Sequence, residues 1–531
     1  MNDRSIAVPI EHPGAAVPGD HVADRAEPRA RPGLRTWLLA ALLFLVPVVA
    51  YWPATFHEFG LRDDYSNLRE SQEEPQTVIK FCASHARPIY GWMLQSTYGQ
   101  ASSVHNLEWM RFGAALLLGA IALVSFHGLR ALGWSFRTSL CFAVLLALIP
   151  SAQVISGWAV GWPYAASALL AICAFLTAEN ALNMGLGAGR RRAIGQWALA
   201  GALVVVSALI YQSSTLFYVV PLAAGIIAQR RRNLPQTARW AGIHLGFISG
   251  ALGLAYCIMT LLYSAGVFVK SGRVAFEHHW LDKIAWFLDE PLRNALSLFV
   301  INDNNGRDHF WYVACAAAVG AVLIAGGWLE WRRHGRSRGI VWFAALLGLP
   351  VFACAVSLIA SERYATYRTI LAMTAVLLCF LVASARALTD RWDPRNRRLF
   401  ATLVMTIAFL TAQHRVFALI AVPQGNEWQL ILSGAKHVQL KGGARPRIFA
   451  ITSSPADVST ATIYHDEFGS LSTNSEWVPK EMFKRAMHDL HPGVPNLESR
   501  YEFAEGKTLP RDQHFDVIID LHRLRQFYTD N

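Results

Sequence analysis

Two adjacent carboxylates, Asp63 and Asp64, stand in the run Leu61-Arg62-Asp63-Asp64-Tyr65-Ser66, a few residues after a long apolar stretch. Neighbouring acids repel, so such a pair persists where it binds a cation, takes a proton or acts as a base toward a hydroxyl. Desolvation raises a carboxyl pKa toward values useful for proton transfer. The plain alternative is a solvated turn in which one aspartate caps a short helix. The same pair is a candidate ligand set for a divalent cation, Mg or Mn. His278 and His279 invite a metal reading too, but neighbours on a helix point apart, unlike the one-turn spacing of helical zinc motifs. Asn302-Asp303-Asn304-Asn305-Gly306 starts like a calcium loop and lacks the closing glutamate, so it reads as a turn. Six of seven cysteines lie in apolar runs, where a thiol behaves as a small hydrophobe, and there is no CxxC pair. The absence of a Walker-type or Gly-rich dinucleotide loop disfavours an ATP-driven pump.

The elements that must position the acidic pair follow from composition. Of 531 residues, 53% are hydrophobic and 16% charged, against roughly a quarter charged in an ordinary soluble domain. Runs of about 20 apolar residues suffice to cross a bilayer as helix. Eleven such spans are expected, near 36–56, 109–129, 138–156, 162–179, 194–211, 213–229, 240–266, 310–329, 340–360, 369–385 and 399–420. The alternate loops hold Arg25, Arg29, Arg31 and Arg35; Arg130 and Arg137; Arg190 to Arg192; Arg230 to Arg232; Arg332, Arg333, Arg336 and Arg338; and Arg391, Arg395, Arg397 and Arg398. By the positive-inside rule all six face the cytoplasm, which places the N-terminus inside and the C-terminus outside. This bias absorbs much of the net charge of +11; with no nucleic-acid fold signature, no nucleic-acid partner is expected.

Residues 1–34, rich in Pro and Arg, read as a disordered cytoplasmic tail; residues 35–422 form the membrane domain. From 423 to 531 the chain turns polar, with strand-like runs Arg447 to Ile451 and Phe515 to Asp520 around a helix-compatible stretch from Lys480 to Leu490. This predicts a small α/β domain outside the membrane. The loop after the seventh span carries an amphipathic pattern through Ile284, Leu288, Leu292, Leu296 and Phe299, as expected of a helix lying on the membrane surface.

An acidic pair just after the first span of a many-span chain, with Ala86-Arg87-Pro88-Ile89-Tyr90 running into a helix and the later Tyr211-Gln212, resembles the GT-C superfamily of integral-membrane glycosyltransferases. Within it, the pattern looks like the glucosyl- and arabinofuranosyltransferases that modify O-antigen or pilin-type acceptors. The resemblance covers residues 36 to 420 in architecture and a handful in motif. It implies a mainly α, polytopic bundle in the inner (cytoplasmic) membrane of a bacterium. It further implies a polyprenyl-phosphate sugar donor, a glycan or glycoprotein acceptor, and an extracytoplasmic site with an aspartate as base or metal ligand. A leaving phosphate then needs preplaced positive charge, for which Arg87, Arg363, Arg368 and Arg415 are the candidates. Tyr65, Trp158, Trp162, Tyr211, Gln212, His278 and His279 are the candidate contacts to sugar or acceptor. The rival expectations are a lipid-linked glycan flippase, marked by ionisable groups inside several spans, and a non-catalytic polysaccharide-assembly subunit.

Overall fold

A computed structural model describes residues 34–184, 190–228, 234–303, 309–440, 445–452 and 467–525. The expected disordered tail, the Arg230 to Arg232 run and the Asn304 to Gly306 part of the turn lie outside these residues. The chain divides into two compact units, Met1–Ala41 and Leu42–Asn531. The first contributes the opening turns of helix α1 (Leu34–Thr55).

The further helices are α2 (Asp63–Glu73), α3 (Thr77–Ser84), α4 (Pro88–Gln100), α5 (Leu107–Ala131), α6 (Phe136–Leu146), α7 (Pro150–Gly157), α8 (Trp162–Met184) and α9 (Arg190–Ile210). They continue with α10 (Gln212–Thr215), α11 (Val219–Ala228), α12 (Leu234–Ser264), α13 (Trp280–Asp289), α14 (Pro291–Leu296), α15 (His309–His334) and α16 (Arg336–Ala353). The last are α17 (Ala355–Ile359), α18 (Leu371–Leu388), α19 (Pro394–Arg415), α20 (Val422–Lys436) and α21 (Val478–Leu490). Proline opens many of them, because a first-turn residue needs no amide hydrogen. Asp393 caps α19 by accepting from the Arg395 amide at 2.7 Å.

Among the described residues nine helical segments are long and apolar enough to cross a membrane. The chain is a multi-pass membrane protein. Three of the eleven expected spans depart from straight helices, the ninth because α16 stops at Ala353 and α17 begins at Ala355. The third is the pair α6 and α7, bent by 48°, where Pro150 lacks the amide that would continue the ladder. The sixth, Gln212–Ala228, is a short apolar helical stretch. The amphipathic run is also interrupted: α13 exposes Trp280, Leu281, Ile284 and Leu288 and buries Phe287, then breaks at Glu290 before Pro291.

Helix ends sort by chemistry. Arg130 ends α5, Arg190 opens α9, Arg332 and Arg333 end α15, and Arg395 opens α19. The opposite ends of those helices are Leu107, Ile210, His309 and Arg415. Arg338, in the basic run where α15 passes to α16, is buried. It is 6% exposed and donates to the Ile227 carbonyl at 2.6 Å, stapling α16 to α11. A Glu179–His244 pair not singled out in the sequence joins the helices: the Glu179 carboxylate accepts from Trp240 Nε1 (2.8 Å) and lies 3.0 Å from His244 Nε2, and His244 Nδ1 meets the Tyr218 hydroxyl at 2.8 Å.

Close backbone approach sets the turn before α8. A Cβ on Gly161 would lie 2.0 Å from the Ile155 carbonyl oxygen, so only glycine lets the Ala159–Gly161 turn fold back on α7. Gly161→Ala is expected to cost about 1–3 kcal/mol through overpacking, read as a fall of several degrees in thermal unfolding in detergent.

The polar C-terminal segment forms a parallel three-stranded sheet in the order β2 (Glu502–Gly506), β1 (Arg447–Ile451), β3 (Val517–Asp520). The central strand is the most buried. The sheet belongs to the same compact unit as the helices from Leu42 onward, and Ile519 packs where a Cβ on Gly434 of α20 would stand.

Candidate functional site

The acidic pair opens α2, and its two members part ways. Arg62, the residue before, holds φ at +45°, in the left-handed region that a branched side chain adopts at a cost. Its amide donates to Ser472 Oγ at 2.9 Å and its guanidinium to Ser470 Oγ at 2.7 Å, so a distant loop holds the strained turn. Asp64 is fully buried, accepting from the Leu61 amide at 2.8 Å on one oxygen and from the Tyr98 hydroxyl on the other. Burial pushes its carboxyl up to about 7, against the pull of those two hydrogen bonds. Asp63, by contrast, is exposed, and the charges that act on it come from Arg368, Arg62, Glu467 and Arg273. Desolvation raises its pKa, Arg368 and Arg62 oppose the rise, and Glu467 adds to it.

Arg368 precedes α18 and is 8% exposed. Its guanidinium lies 4.2 Å from the Trp158 ring centroid, donates to the Tyr364 hydroxyl, and pairs at 3.0 Å with Glu467. Glu467 comes from the C-terminal segment. The loop that carries it is fastened to the Val416–Ala421 turn and to α20: the Gly469 amide donates to the Leu419 carbonyl at 2.7 Å, an acceptor whose α-helical partner is missing because Pro423 has no N–H. Glu427 accepts from the amides of Ser472 (2.8 Å) and Thr473 (3.0 Å), and Gln424 Nε2 donates to the Ser470 carbonyl at 2.6 Å.

From Trp158 an aromatic shelf leads to a second arginine. Tyr164 contacts Tyr211 at 4.2 Å and stacks on Tyr90 at 5.3 Å, with their hydroxyls 3.0 Å apart. Arg87 covers Tyr211 at 4.4 Å and donates to Gln212 Oε1 at 3.4 Å. The residue before it, Ala86, also holds a positive φ, +61°, and its carbonyl accepts from Gln212 Nε2 at 2.6 Å. Two non-glycine left-handed residues thus immediately precede Asp63 and Arg87, a pattern found where backbone strain serves a site.

Arg87, Tyr211 and Gln212 form one end of a cavity of about 480 Å³. Arg273, Glu362, Tyr364 and Thr369 line the same cavity, and its walls are apolar, with Leu252, Met259, Phe352 and Val356 among them. Arg273 pairs with Glu362 at 3.5 Å. The loops that bear them are clipped together by the Phe276–Ala360 bridge and by the Glu277 amide donating to the Ile359 carbonyl at 2.9 Å.

The structure therefore brings together Asp63, Arg87, Arg368, Trp158, Tyr211 and Gln212. It sets the other expected residues apart. Tyr65 is sealed, its hydroxyl donating to the Gly60 carbonyl at 2.9 Å and its ring stacked on Trp428. Trp162 lines a different cavity of about 460 Å³ with Trp109, Gln100 and Asn106. Arg363 is solvated and lies 3.9 Å from Asp282. Arg415 ends α19 near Cys315. His278 and His279 are exposed, with their amides held by Glu277 Oε1 at 2.8 and 2.7 Å. A cation shared by Asp63 and Asp64 does not fit: both Asp64 oxygens are engaged in a sealed pocket, and the positive charge nearest Asp63 is supplied by arginine. Among the described residues one group has metal-compatible spacing, Glu73, His488 and Glu498, and Lys484 already pairs with its Glu498 at 3.1 Å.

Sequence reasoning missed Glu467, Tyr164, Arg273 and Glu362. Arg273 and Glu362 carried a weak signal as charges in outward loops, whereas Glu467 lies in a polar stretch with no pattern to mark it. Comparison with protein-family models finds no match, and a search of curated proteins finds none either.

Proposed function

We propose that the chain is a membrane glycosyltransferase that moves a sugar from a polyprenyl-phosphate carrier to an acceptor hydroxyl on the extracytoplasmic side. The observation that carries this reading is an apolar cavity of about 480 Å³ lined by two arginines, Arg87 and Arg273, the second of which also acts on the Asp63 carboxylate. A lipid phosphate needs both parts: apolar walls for isoprene units and a guanidinium for the phosphate oxygens. The arginine-rich turns at the opposite helix ends support a site facing away from the cytoplasm, in the inner membrane of a bacterium, with the N-terminus inside and the C-terminus periplasmic.

In this reading Arg87 and Arg273 take the carrier phosphate and Tyr211 and Gln212 fix Arg87. Asp63 accepts the proton of the acceptor hydroxyl as the acceptor oxygen bonds to the anomeric carbon. The bond from that carbon to the phosphate oxygen breaks, and its electron pair leaves with the phosphate, where the arginines stabilise it. Asp64 positions rather than reacts. No step is routed through a divalent cation, since the aspartates do not form a joint ligand set. The acceptor class is a cell-envelope glycan, an O-antigen or a glycoprotein such as pilin.

Purified protein offered a panel of polyprenyl-phosphate sugars, with and without chelator, should release carrier phosphate from at least one donor in both conditions. Release from none removes the proposal. Arg87→Gln should raise the donor KM by about 10- to 100-fold, the worth of one charge-assisted contact of roughly 1.5–3 kcal/mol, while Arg363→Gln leaves it unchanged.

The flippase reading draws on one observation, the Glu179 and His244 pair inside the bundle. That pair is met on three sides by Trp240, Tyr218 and the stacked ring of Phe175, which suits a tie between α8, α12 and the Leu216–Tyr218 turn before α11. Movement of a labelled lipid-linked glycan across vesicles without release of carrier phosphate would favour it.

A further inference from the structure

We infer that Glu467 is a positioning residue of this site: it seats the Arg368 guanidinium against Trp158 and so keeps Arg368 from collapsing onto Asp63. The inference rests on the reading above. Its geometry is independent of it. Glu467 is 1% exposed and Arg368 8% exposed, with 3.0 Å between them. A carboxylate buried to that degree is tolerable only with a partner charge, so the pair orients both members. Arg368 also has Trp158 at 4.2 Å beneath it and Tyr364 on its other nitrogen.

The charges facing Asp63 are Arg62 on its own turn, Asp64 beside it, Glu70 further along α2, Arg368 before α18, Arg273 from the loop after α12, and Glu467 from the C-terminal segment. Glu467 is thus the one acid among them that belongs to the C-terminal segment, and it pairs with the guanidinium that acts most strongly on Asp63. With Glu467 present, Arg368 has an acid of its own and Asp63 retains its affinity for a proton. With that acid neutralised, Arg368 turns to Asp63 and quenches it as a base. The delivery route is built in: the missing amide of Pro423 leaves the Leu419 carbonyl to receive Gly469, two residues from Glu467. The C-terminal segment therefore completes the site rather than merely covering it.

Glu467→Gln keeps the shape and removes the charge. It should lower kcat about 10- to 100-fold, with the donor KM within threefold because Arg87 and Arg273 still hold the phosphate. Glu467→Asp, which keeps the charge, should recover part of the lost kcat, and Glu502→Gln on β2 should behave as wild type. A second readout needs no turnover: phenylglyoxal labelling of Arg368, followed by peptide mass spectrometry, should run several-fold faster in E467Q than in wild type. If kcat and KM both stay within twofold of wild type, or if the labelling rate is unchanged, the inference fails. If wild type turns over no donor at all, the proposed activity fails, and the labelling rate alone still decides whether Glu467 seats Arg368.

Discussion

Asp63→Asn is expected to lower the transfer rate by about a thousandfold or more, within the range of 10²–10⁴ that a general base contributes plus the loss of its charge, while the protein stays folded. The folded state should survive because Asp63 is exposed, whereas Asp64 is buried and anchors the start of α2 through Leu61 and Tyr98. Asp64→Asn, a neutral near-isostere, should retain far more activity than Asp63→Asn. Activity loss of equal size in both would remove the division of roles. The pH dependence supplies a second check. A base must be unprotonated, and the Asp63 pKa is raised by burial, so kcat/KM should fall as pH falls through a value above the ordinary carboxylate range. That acid limb should vanish from the residual rate of D63N and persist in D64N. For stability the sign is reversed. The folded pKa of Asp64, about 7, exceeds its unfolded value of 3.8, so the native state binds the proton more tightly. The stabilisation it gives is full below pH 3.8 and is lost as pH rises through 7. Thermal unfolding of wild type across that window should show a decline that D64N lacks.

How far these roles can be read from residues alone depends on what each one needs. The helical body follows from apolar runs of bilayer length and from prolines at helix starts, which are local properties. Pro150 shows the limit of that reading: it is as visible as any residue, but only packing turns α6 and α7 into one bent pair. Asp63 and Asp64 are indistinguishable in sequence. Their separation arises from the strained Arg62 turn, which is held by serines some 400 positions away. Trp158 and Trp162 are four apart, a spacing that on one helix puts them on a common face. The 3-10 turn at Ala159–Gly161 breaks that register, leaving Trp158 beneath Arg368 and Trp162 lining a separate cavity. Glu467 is the extreme case, since its meaning depends wholly on contact with Arg368, and nothing nearby in sequence signals that contact. β2 went unread for a related reason: its Glu502, Glu505 and Gly506 lack strand character, and pairing with β1 makes it a strand.

Arg111→Leu is expected to be the most destabilising single change outside the cavity. The turn from α1 to α2 has no helix to satisfy its carbonyls, and Arg111 of α5 satisfies three, donating to Thr55 (3.1 Å), His57 (2.7 Å) and Phe59 (2.8 Å). The side chain is fully buried, its guanidinium lies 4.0 Å from the Phe59 ring centroid, and its charge acts on Asp64. Leucine would leave those carbonyls without donors at about 1–3 kcal/mol for each one left buried, and would strip a buried acid of its nearest countercharge. Removal of one partner from such an arrangement costs about 3–5 kcal/mol, a large share of a typical stability of about 5–15 kcal/mol. In detergent the variant should show a sharply lowered unfolding temperature and reduced yield. Arg111→Lys, with one point charge in place of a fork, should fall between it and wild type. An unfolding temperature for Arg111→Leu within two or three degrees of wild type would mean that the turn holds its own shape. Because Asp63 hangs from this same turn, transfer should decline with the folded fraction in Arg111→Leu, whereas in Asp63→Asn it is lost with folding intact. That contrast separates a residue that builds the site from one that works in it.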